Sequence, residues 1–231
     1  MLSAEEWGIV ALSLKVAGVA VLATLPLAFA LAWVLARYRF PGRLLLDALV
    51  HLPLVLPPVV TGWLLLVAFG PLGPIGSRLQ DWLGVTLMFR WTGAALAAAI
   101  MALPLMVRAM RLSIEGIDRR LEGAARTLGA GRWHAFRTVS LPLALPGVLA
   151  ALVLGFARSI GEFGATITFV SNIPGETQTL PLAIYSALQV PGAEAMVTRL
   201  ALLSVALSLG ALILSEWLVR RTHAERARHG D

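Results

Sequence analysis

Cysteine is absent from this sequence of 231 residues, and Lys15 is its only lysine. Without cysteine the chain can form neither a disulfide framework nor a thiolate metal site. A phosphate-binding GxxxxGK(S/T) loop needs glycines at fixed offsets before a lysine, and Lys15 has no glycine at those offsets. The four histidines are scattered, and no nucleophile, base and acid stand together. We therefore expect no catalytic site, no P-loop ATPase activity, no cofactor and no metal.

Charged residues are also scarce, at 14% of the sequence, whereas 58% of the residues are apolar. With a mean hydropathy of +0.81, this composition is typical of integral membrane proteins and excludes an ordinary soluble domain. A spanning helix needs about 20 residues, so a chain of this length has room for about five or six spans. We expect a single all-α membrane domain over residues 1–231.

Five long apolar runs account for the predicted spans. Glu5 and Glu6 precede the first run in place of positive charge, which disfavours a cleaved signal peptide. Pro53, Pro57 and Pro58 interrupt the second run, as membrane helices allow where neighbouring groups satisfy the freed carbonyls. The predicted spans cover about residues 9–36, 44–69, 92–112, 141–164 and 196–219.

Small residues distinguish the third and fourth runs. The third run is rich in alanine, which allows helices to approach closely in lipid. The fourth run continues to about residue 170, which is longer than one span, and Gly161 and Gly164 flank Glu162 inside it. We expect its helix to break there, before Phe169.

Two segments between the runs are predicted as external loops. Residues 70–91 are rich in glycine and proline and poor in charge, and they include a short interfacial helix near Trp82. Residues 171–195 form the other loop, with a second short interfacial helix over residues 180–190.

Arginine supplies nearly all of the positive charge behind the net charge of +6, and its placement indicates a topology. The basic residues cluster after the first run, around a central polar segment and at the C-terminus. This alternation is the positive-inside pattern, and it favours a membrane protein over a nucleic-acid-binding one. The N-terminus is then outside and the C-terminus cytoplasmic, and Arg108 and Arg111 reach lipid headgroups. The clustered residues are Arg37, Arg39, Arg43, Arg108, Arg111, Arg119, Arg120, Arg126, Arg132, Arg137, Arg220, Arg221, Arg226 and Arg228.

The central polar segment, residues 113–139, is predicted to form two short helices joined by a turn; we call it the coupling segment. Between residues 117 and 128 the apolar and small positions recur at helical spacing. Gly129 is suited to the left-handed conformation that ends a helix, and a second helix then presents Trp133 and Phe136. One interpretation is an amphipathic hairpin on the inner leaflet, and the other is a helix-turn-helix that inserts into a soluble partner.

The coupling segment resembles the cytoplasmic coupling motif of ABC importer permeases. That motif runs Glu-Ala-Ala, three residues, Gly, nine residues, Ile, one residue, Leu-Pro. Gly123 stands at the motif's glutamate position and Glu122 one residue earlier, so both join the candidate coupling residues. The resemblance implies that these residues contact a cytoplasmic ATP-binding subunit. The residues that match the motif are Ala124, Ala125, Gly129, Leu141 and Pro142, with Val139 in the Ile place.

Two other stretches resemble the permeases of molybdate importers: residues 52–58 (LPLVLPP) and residues 156–177 (FARSIGEFGATITFVSNIPGET). This resemblance implies the type I ABC importer permease fold in the cell inner membrane, with molybdate carried inward. It also implies a second copy of the chain, the ATP-binding subunits and an external oxyanion-binding protein as partners. Sulfate, tungstate or another tetrahedral oxyanion is the alternative substrate. A channel or scaffold subunit without a pump partner is the alternative of a different class.

Arg158 and Glu162 lie four residues apart in the fourth run and therefore face one another on a helix. An unpaired arginine in the middle of a membrane costs about 2.5–3.5 kcal/mol on insertion scales. One interpretation is a mutual ion pair that supports the broken helix. The other makes Arg158, Glu162 and Thr166 part of a polar lining that eases the passage of an oxyanion. The two interpretations are compatible.

Overall fold

The computed structural model describes residues 3–228, with side chains for residues 3–214 and 217. Within that range the secondary structure is entirely helical, and a π-helical turn (Phe136–Ser140) joins α7 to α8. The helices are α1 (Ala4–Arg37), α2 (Arg43–Val55), α3 (Pro58–Phe69), α4 (Gly76–Leu83), α5 (Trp91–Glu115), α6 (Arg119–Thr127), α7 (Arg132–Ala135), α8 (Leu141–Ile160), α9 (Gly164–Val170), α10 (Leu180–Ala187) and α11 (Glu194–Arg228).

Four stretches of the described chain are long and apolar enough to cross a membrane. They are Ala4–Arg37, Trp91–Glu115, Arg132–Ile160 and Glu194–Leu214. Helices α2 and α3 are long and apolar enough to cross a membrane only when taken together, and they are bent by 114° relative to one another. Counting that pair as one broken span gives five. The all-α membrane fold predicted from composition is confirmed, and the second predicted run is two helices instead of one.

The core lies where α1, α5 and α8 pack together. Buried alanines and methionines fill it, among them Ala28, Ala102, Met106 and Met110. Close approach depends on small residues: a Cβ added at Gly155 of α8 would lie only 2.7 Å from Sδ of Met106 in α5. The alanine-rich run therefore packs closely, as its composition predicts.

Two helix breaks meet in space. The α2–α3 bend falls where Pro57 and Pro58 follow one another, because a proline disfavours helix at the residue before it. The α8–α9 break falls at residues 161–163, inside the stretch where the two glycines predict it. A Cβ at Gly164 would lie 2.8 Å from Cβ of Pro58, and one at Gly62 would lie 2.6 Å from the carbonyl oxygen of Ala165. Helices α3 and α9 thus pack backbone to backbone.

The two short helices predicted in loops are both present. Helix α4 includes Trp82, which is exposed. The sequence predicts that α10 lies at the membrane interface, whereas its Leu180 and Leu182 are fully buried in the protein. The backbone N–H of Leu180 donates to Ser13 Oγ of α1 at 2.8 Å. Contacts with α1 and α11, which are remote in sequence, hold α10 inside the fold.

A charged cluster joins α2 to α5 near the coupling segment. Arg111 Nη1 lies 3.0 Å from Asp47 Oδ1, and Arg111 Nε lies 2.8 Å from Glu115 Oε1. Arg43 Nη2 approaches the same Glu115 oxygen at 4.0 Å. These partly exposed pairs tie the helices locally, and none of them includes a residue of α6.

Candidate functional site

The first helix of the coupling segment is α6, and local sequence determines both of its ends. Asp118 is the N-cap residue, and its side chain accepts a hydrogen bond from the N–H of Arg120 at 2.9 Å. At the other end Gly129 has φ +91°, and its N–H donates to the carbonyl of Arg126. The N–H of Ala130 donates to the carbonyl of Ala125, which completes a Schellman turn. The left-handed Gly129 expected from the sequence is therefore observed.

The surface of α6 is uncovered. Of the motif residues, Gly123 and Ala124 are exposed and Ala125 is half-buried. Two large apolar side chains of the segment are exposed too, at 89% for Leu128 and 68% for Trp133, whereas Ile114 and Ile117 are buried. Exposed apolar side chains grouped on a polar segment are typical of a surface that binds another protein or a membrane. This face is chemically suited to docking.

Glu122 is the exception on α6, because its carboxylate turns toward the rest of the chain. Its Oε1 accepts a hydrogen bond from Arg37 Nη2 at 2.6 Å and another from Ser140 Oγ at 2.6 Å. Arg37 is the last residue of α1, and Ser140 ends the π-helical turn. Sequence reasoning missed both partners, since Arg37 lies 85 residues away.

The second helix of the coupling segment runs into α8 without interruption. The sequence predicts that Leu141 and Pro142 open a new span, whereas the helical path is continuous from Arg132 to Ile160. Pro142 has no backbone N–H, and its ring would clash with the carbonyl four residues earlier. The chain widens instead into the π-helical turn, where the N–H of Leu141 donates to the carbonyl of Phe136. Proline thus alters the helix without ending it.

Aromatic side chains fasten this second helix to α1. The rings of Trp133 and Phe136 stack with centroids 5.2 Å apart. Phe136 meets Trp33 of α1 edge to face at 5.0 Å, a geometry that aromatic pairs favour. The Arg37 guanidinium lies 5.1 Å from the centroid of the Trp33 ring. Together with Phe29, these side chains connect the coupling segment to the end of α1.

The three candidate pathway residues lie around the α8–α9 break. Arg158 Nη1 and Glu162 Oε2 are 2.6 Å apart, so the ion pair expected from their spacing is present. The other oxygen of Glu162 accepts a hydrogen bond from the N–H of Ala165 at 2.8 Å, which caps α9. The Glu162 side chain is only 2% exposed, that of Arg158 is 24% exposed, and Thr166 is buried. The carboxylate therefore neutralises Arg158 and also supports the break.

The histidines, aspartates and glutamates are dispersed in the part of the chain that the structure describes. No group of three or more His, Asp or Glu side chains there is close enough to hold a metal ion. Of the histidines noted in the sequence, His51 lies in α2 and His134 in α7. The contacts observed at the site are ion pairs and hydrogen bonds.

Known proteins similar in sequence are transport permeases. The molybdenum transport system permease protein ModB of Escherichia coli K12 is 58% identical over 228 residues, which cover 99% of this chain and 100% of that protein. The Haemophilus influenzae protein of the same name is 61% identical over 210 residues, covering 91% and 92%. The sulfate transport system permease protein CysT of E. coli K12 is 42% identical over 159 residues, covering 69% and 57%.

Solved structures with a similar fold also come from ABC transporters. A bacterial ABC transporter for alginate import matches with a TM-score of 0.73 and 19% identity, over 95% of this chain and 80% of that chain. The MetNI methionine ABC transporter matches with a TM-score of 0.68 and 17% identity, over 94% of each chain. The fold is thus that of a type I ABC importer permease. The family model described as "Binding-protein-dependent transport system inner membrane component" matches residues 24–224. The chain belongs to this family of transport permeases.

Proposed function

We propose that this chain is the membrane permease subunit of an ATP-driven importer that carries molybdate into the cytoplasm. The observation that carries the proposal is the 58% identity to a molybdenum transport permease over 99% of the chain. The lower identity to a sulfate permease, 42% over 69% of the chain, makes sulfate a competing substrate. Tungstate is a further competitor because it has the same charge and tetrahedral shape. All three are tetrahedral dianions, so a permease path suited to one accommodates the others electrostatically.

The orientation that we propose places the N-terminus outside and the C-terminus in the cytoplasm of the cell inner membrane. The positive-inside distribution of arginine supports it. The coupling segment is then cytoplasmic, where it docks onto an ATP-binding subunit that hydrolyses ATP. The exposed Leu128 and Trp133 and the exposed Schellman turn at Gly129 give that subunit a surface to grip.

The oxyanion path that we propose passes the α8–α9 break, with Arg158, Glu162 and Thr166 at its edge. Support comes from the 24% exposure of Arg158, the only one of the three with substantial exposure. Since Glu162 neutralises Arg158, the site attracts a dianion weakly and does not trap it. A second copy of the chain supplies the other wall of the path, and an external binding protein delivers the oxyanion.

Transport follows from alternating access. ATP binding brings the two ATP-binding subunits together, and each pulls the coupling segment that it grips. The spans then rock, so that the path opens outward to the binding protein and inward again after hydrolysis. The cycle requires that the closed ATP-binding subunits bind the outward-open permease more tightly than the inward-open one.

Uptake of molybdate by vesicles that contain the reconstituted complex tests this function. Molybdate should accumulate only with ATP inside and binding protein outside, and unlabelled tungstate and sulfate serve as competitors. Accumulation without ATP would favour a channel, and stronger competition by sulfate than by molybdate itself would assign the other substrate. A chain that purifies without any ATP-hydrolysing companion under gentle extraction would contradict the proposal.

A further inference from the structure

Glu122 is held by partners within its own chain. Its side chain is 28% exposed and that of Arg37 is 9% exposed, so their pair is largely shielded from water. Ser140, which donates to the same carboxylate oxygen, is fully buried. Residues at the exposed face of α6 are free to meet another protein, whereas the Glu122 carboxylate points the opposite way. Its geometry therefore differs from that of a residue that contacts a docked subunit.

The end of α1 is joined to α6 at two places. Besides the pair with Glu122, the carbonyl oxygen of Arg37 accepts a hydrogen bond from Arg119 Nη2 at 3.2 Å. Arg119 is the first residue of α6, and Glu122 lies one turn later. Two contacts one turn apart restrict rotation of α6 against α1 as well as translation. A charge-assisted hydrogen bond of 2.6 Å is among the stronger contacts available to a partly buried site.

Ser140 extends this link to a third helix. It closes the π-helical turn from which α8 continues, and π-helical turns are frequent at functional positions in helices. Helix α8 leads from there to the break beside Arg158 and Glu162. One carboxylate oxygen thus connects the helix that faces the partner, the long helix α1 and the start of the helix that reaches the pathway residues.

We propose that Glu122 is a positioning residue that transmits the motion of α6 to α1 and α8 through Arg37 and Ser140. A pull on α6 then moves α1 and the start of α8 as one body, without a slip between them. The inference rests on the proposed docking of the coupling segment onto an ATP-hydrolysing subunit. It departs from a role for this carboxylate at the subunit interface itself.

Variants that neutralise or exchange the charges of Glu122 and Arg37 test this link between α6 and α1 in the assembled transporter. Glu122→Gln and Arg37→Gln each remove one charge of the pair. Both variants should co-purify with the ATP-binding subunit and hydrolyse ATP. The amount of molybdate taken up per ATP hydrolysed should fall by about fivefold or more, since fivefold is the lower end of the coupling usually found between two sites. The exchanged pair, Arg37→Glu with Glu122→Arg, should recover most of that ratio. Asp47→Asn, which removes the ion pair with Arg111 between α2 and α5 and lies outside the coupling segment, should leave the amount of molybdate taken up per ATP unchanged.

Several results would overturn the role. Uptake per ATP that is unchanged in Glu122→Gln would do so, and so would an exchanged pair that is no better than the single variants. Loss of the ATP-binding subunit from purified Glu122→Gln would place the carboxylate at the subunit interface instead. Each of these results is read on the purified complex.

A distance measurement keeps the inference testable if the charge variants do not fold. Since the chain has no cysteine of its own, Tyr38→Cys and Arg126→Cys place two spin labels at chosen positions in it, and the unlabelled positions of this chain do not react. The label distance should be the same with and without ATP, because the link holds α6 against α1. A change of about one helical turn, ~5.4 Å, would overturn it. Failure of the unmodified complex to take up molybdate would instead contradict the proposed function, and the label distance would still decide the link.

Discussion

Arg199 donates two hydrogen bonds to one carboxylate oxygen of Glu6, 2.9 Å from Nε and 2.7 Å from Nη2, across 193 residues of sequence. The other oxygen of Glu6 accepts from the N–H of Ser3 at 2.6 Å, so the same side chain completes the capping box of α1. Glu6 is buried, whereas Arg199 is partly exposed. The pair fastens the first turn of α1 to α11, a helix that is otherwise little buried.

Removing the arginine should destabilise this end of the fold. Arg199→Gln leaves the buried Glu6 carboxylate without its cation, which is more costly than losing an exposed pair. We expect the thermal unfolding midpoint of the detergent-purified protein to fall by about 2–4 °C. Arg78→Gln, at an exposed arginine of α4, is the control and should leave the midpoint unchanged. Equal unfolding midpoints for the two variants would show that the Glu6–Arg199 pair does not contribute to the stability of the protein.

Single-cysteine labelling should reveal the orientation directly, because the chain has no cysteine of its own. Leu72→Cys lies at a fully exposed position between α3 and α4, and it should react with an impermeant maleimide on intact cells. Leu128→Cys, on the coupling segment, should react only after the inner membrane is opened. Labelling of Leu128→Cys from outside would reverse the topology and exclude a cytoplasmic partner for this segment.

A branched residue at Gly129 should uncouple ATP hydrolysis from transport. The position has φ +91° and open space around it, so the cost of Gly129→Val is backbone strain, about 1–2 kcal/mol, and not a clash. The strain alters the turn between α6 and α7. ATP hydrolysis should continue in the assembled complex while molybdate uptake drops.

Gly192→Val is the matched control for this turn. Gly192 also has a positive φ, +87°, and a Cβ added there would have no atom within 4 Å, but it lies between α10 and α11. It should cost similar stability and leave uptake per ATP unchanged. Normal uptake in Gly129→Val, or the same loss in both variants, would count against a special role of the coupling turn.

The Arg158–Glu162 pair allows its two interpretations to be separated. Arg158→Gln alone leaves a charged carboxylate with 2% exposure, so its effect combines both roles. The double variant Arg158→Gln with Glu162→Gln has no net charge change, and the amide oxygen of the new glutamine side chain remains able to cap α9. We expect the double variant to assemble but to take up molybdate about tenfold more slowly, a loss of about 1.4 kcal/mol.

The behaviour of the double variant decides whether the pair lines the oxyanion path or only supports the α8–α9 break. Assembly is measured by size-exclusion chromatography of the complex, and uptake is measured in vesicles. Thr168→Val, which removes the hydroxyl that donates to the carbonyl of Gly164 on α9, is a control for local packing. Full uptake by an assembled double variant would leave the pair a purely structural role.

Local chemistry explains where sequence reasoning was right. Gly129 ends α6 because only glycine adopts its φ without strain. The alanines of α5 are buried because small side chains let helices approach, and Gly161 and Gly164 lie at the ends of the break in the fourth run. Each prediction concerned a property of consecutive residues, so no distant contact was needed to make it.

Distant contacts explain what sequence reasoning missed. Helix α10 has the length of a surface helix, and its burial depends on α1 and α11. Nothing in the sequence near Glu122 indicates that it pairs with Arg37.

By itself, the sequence determined that this protein is a helical membrane permease with a polar coupling segment, because composition, arginine placement and short motifs are local properties. Only the tertiary structure decided that Glu122 faces Arg37 and Ser140, that Glu6 pairs with Arg199, and that the breaks near Pro58 and Gly164 meet. Such pairings depend on how helices distant in sequence pack together. The physical reason is that a charge-assisted hydrogen bond needs its donor and acceptor about 3 Å apart and well aligned, so its partner is selected by the folded geometry.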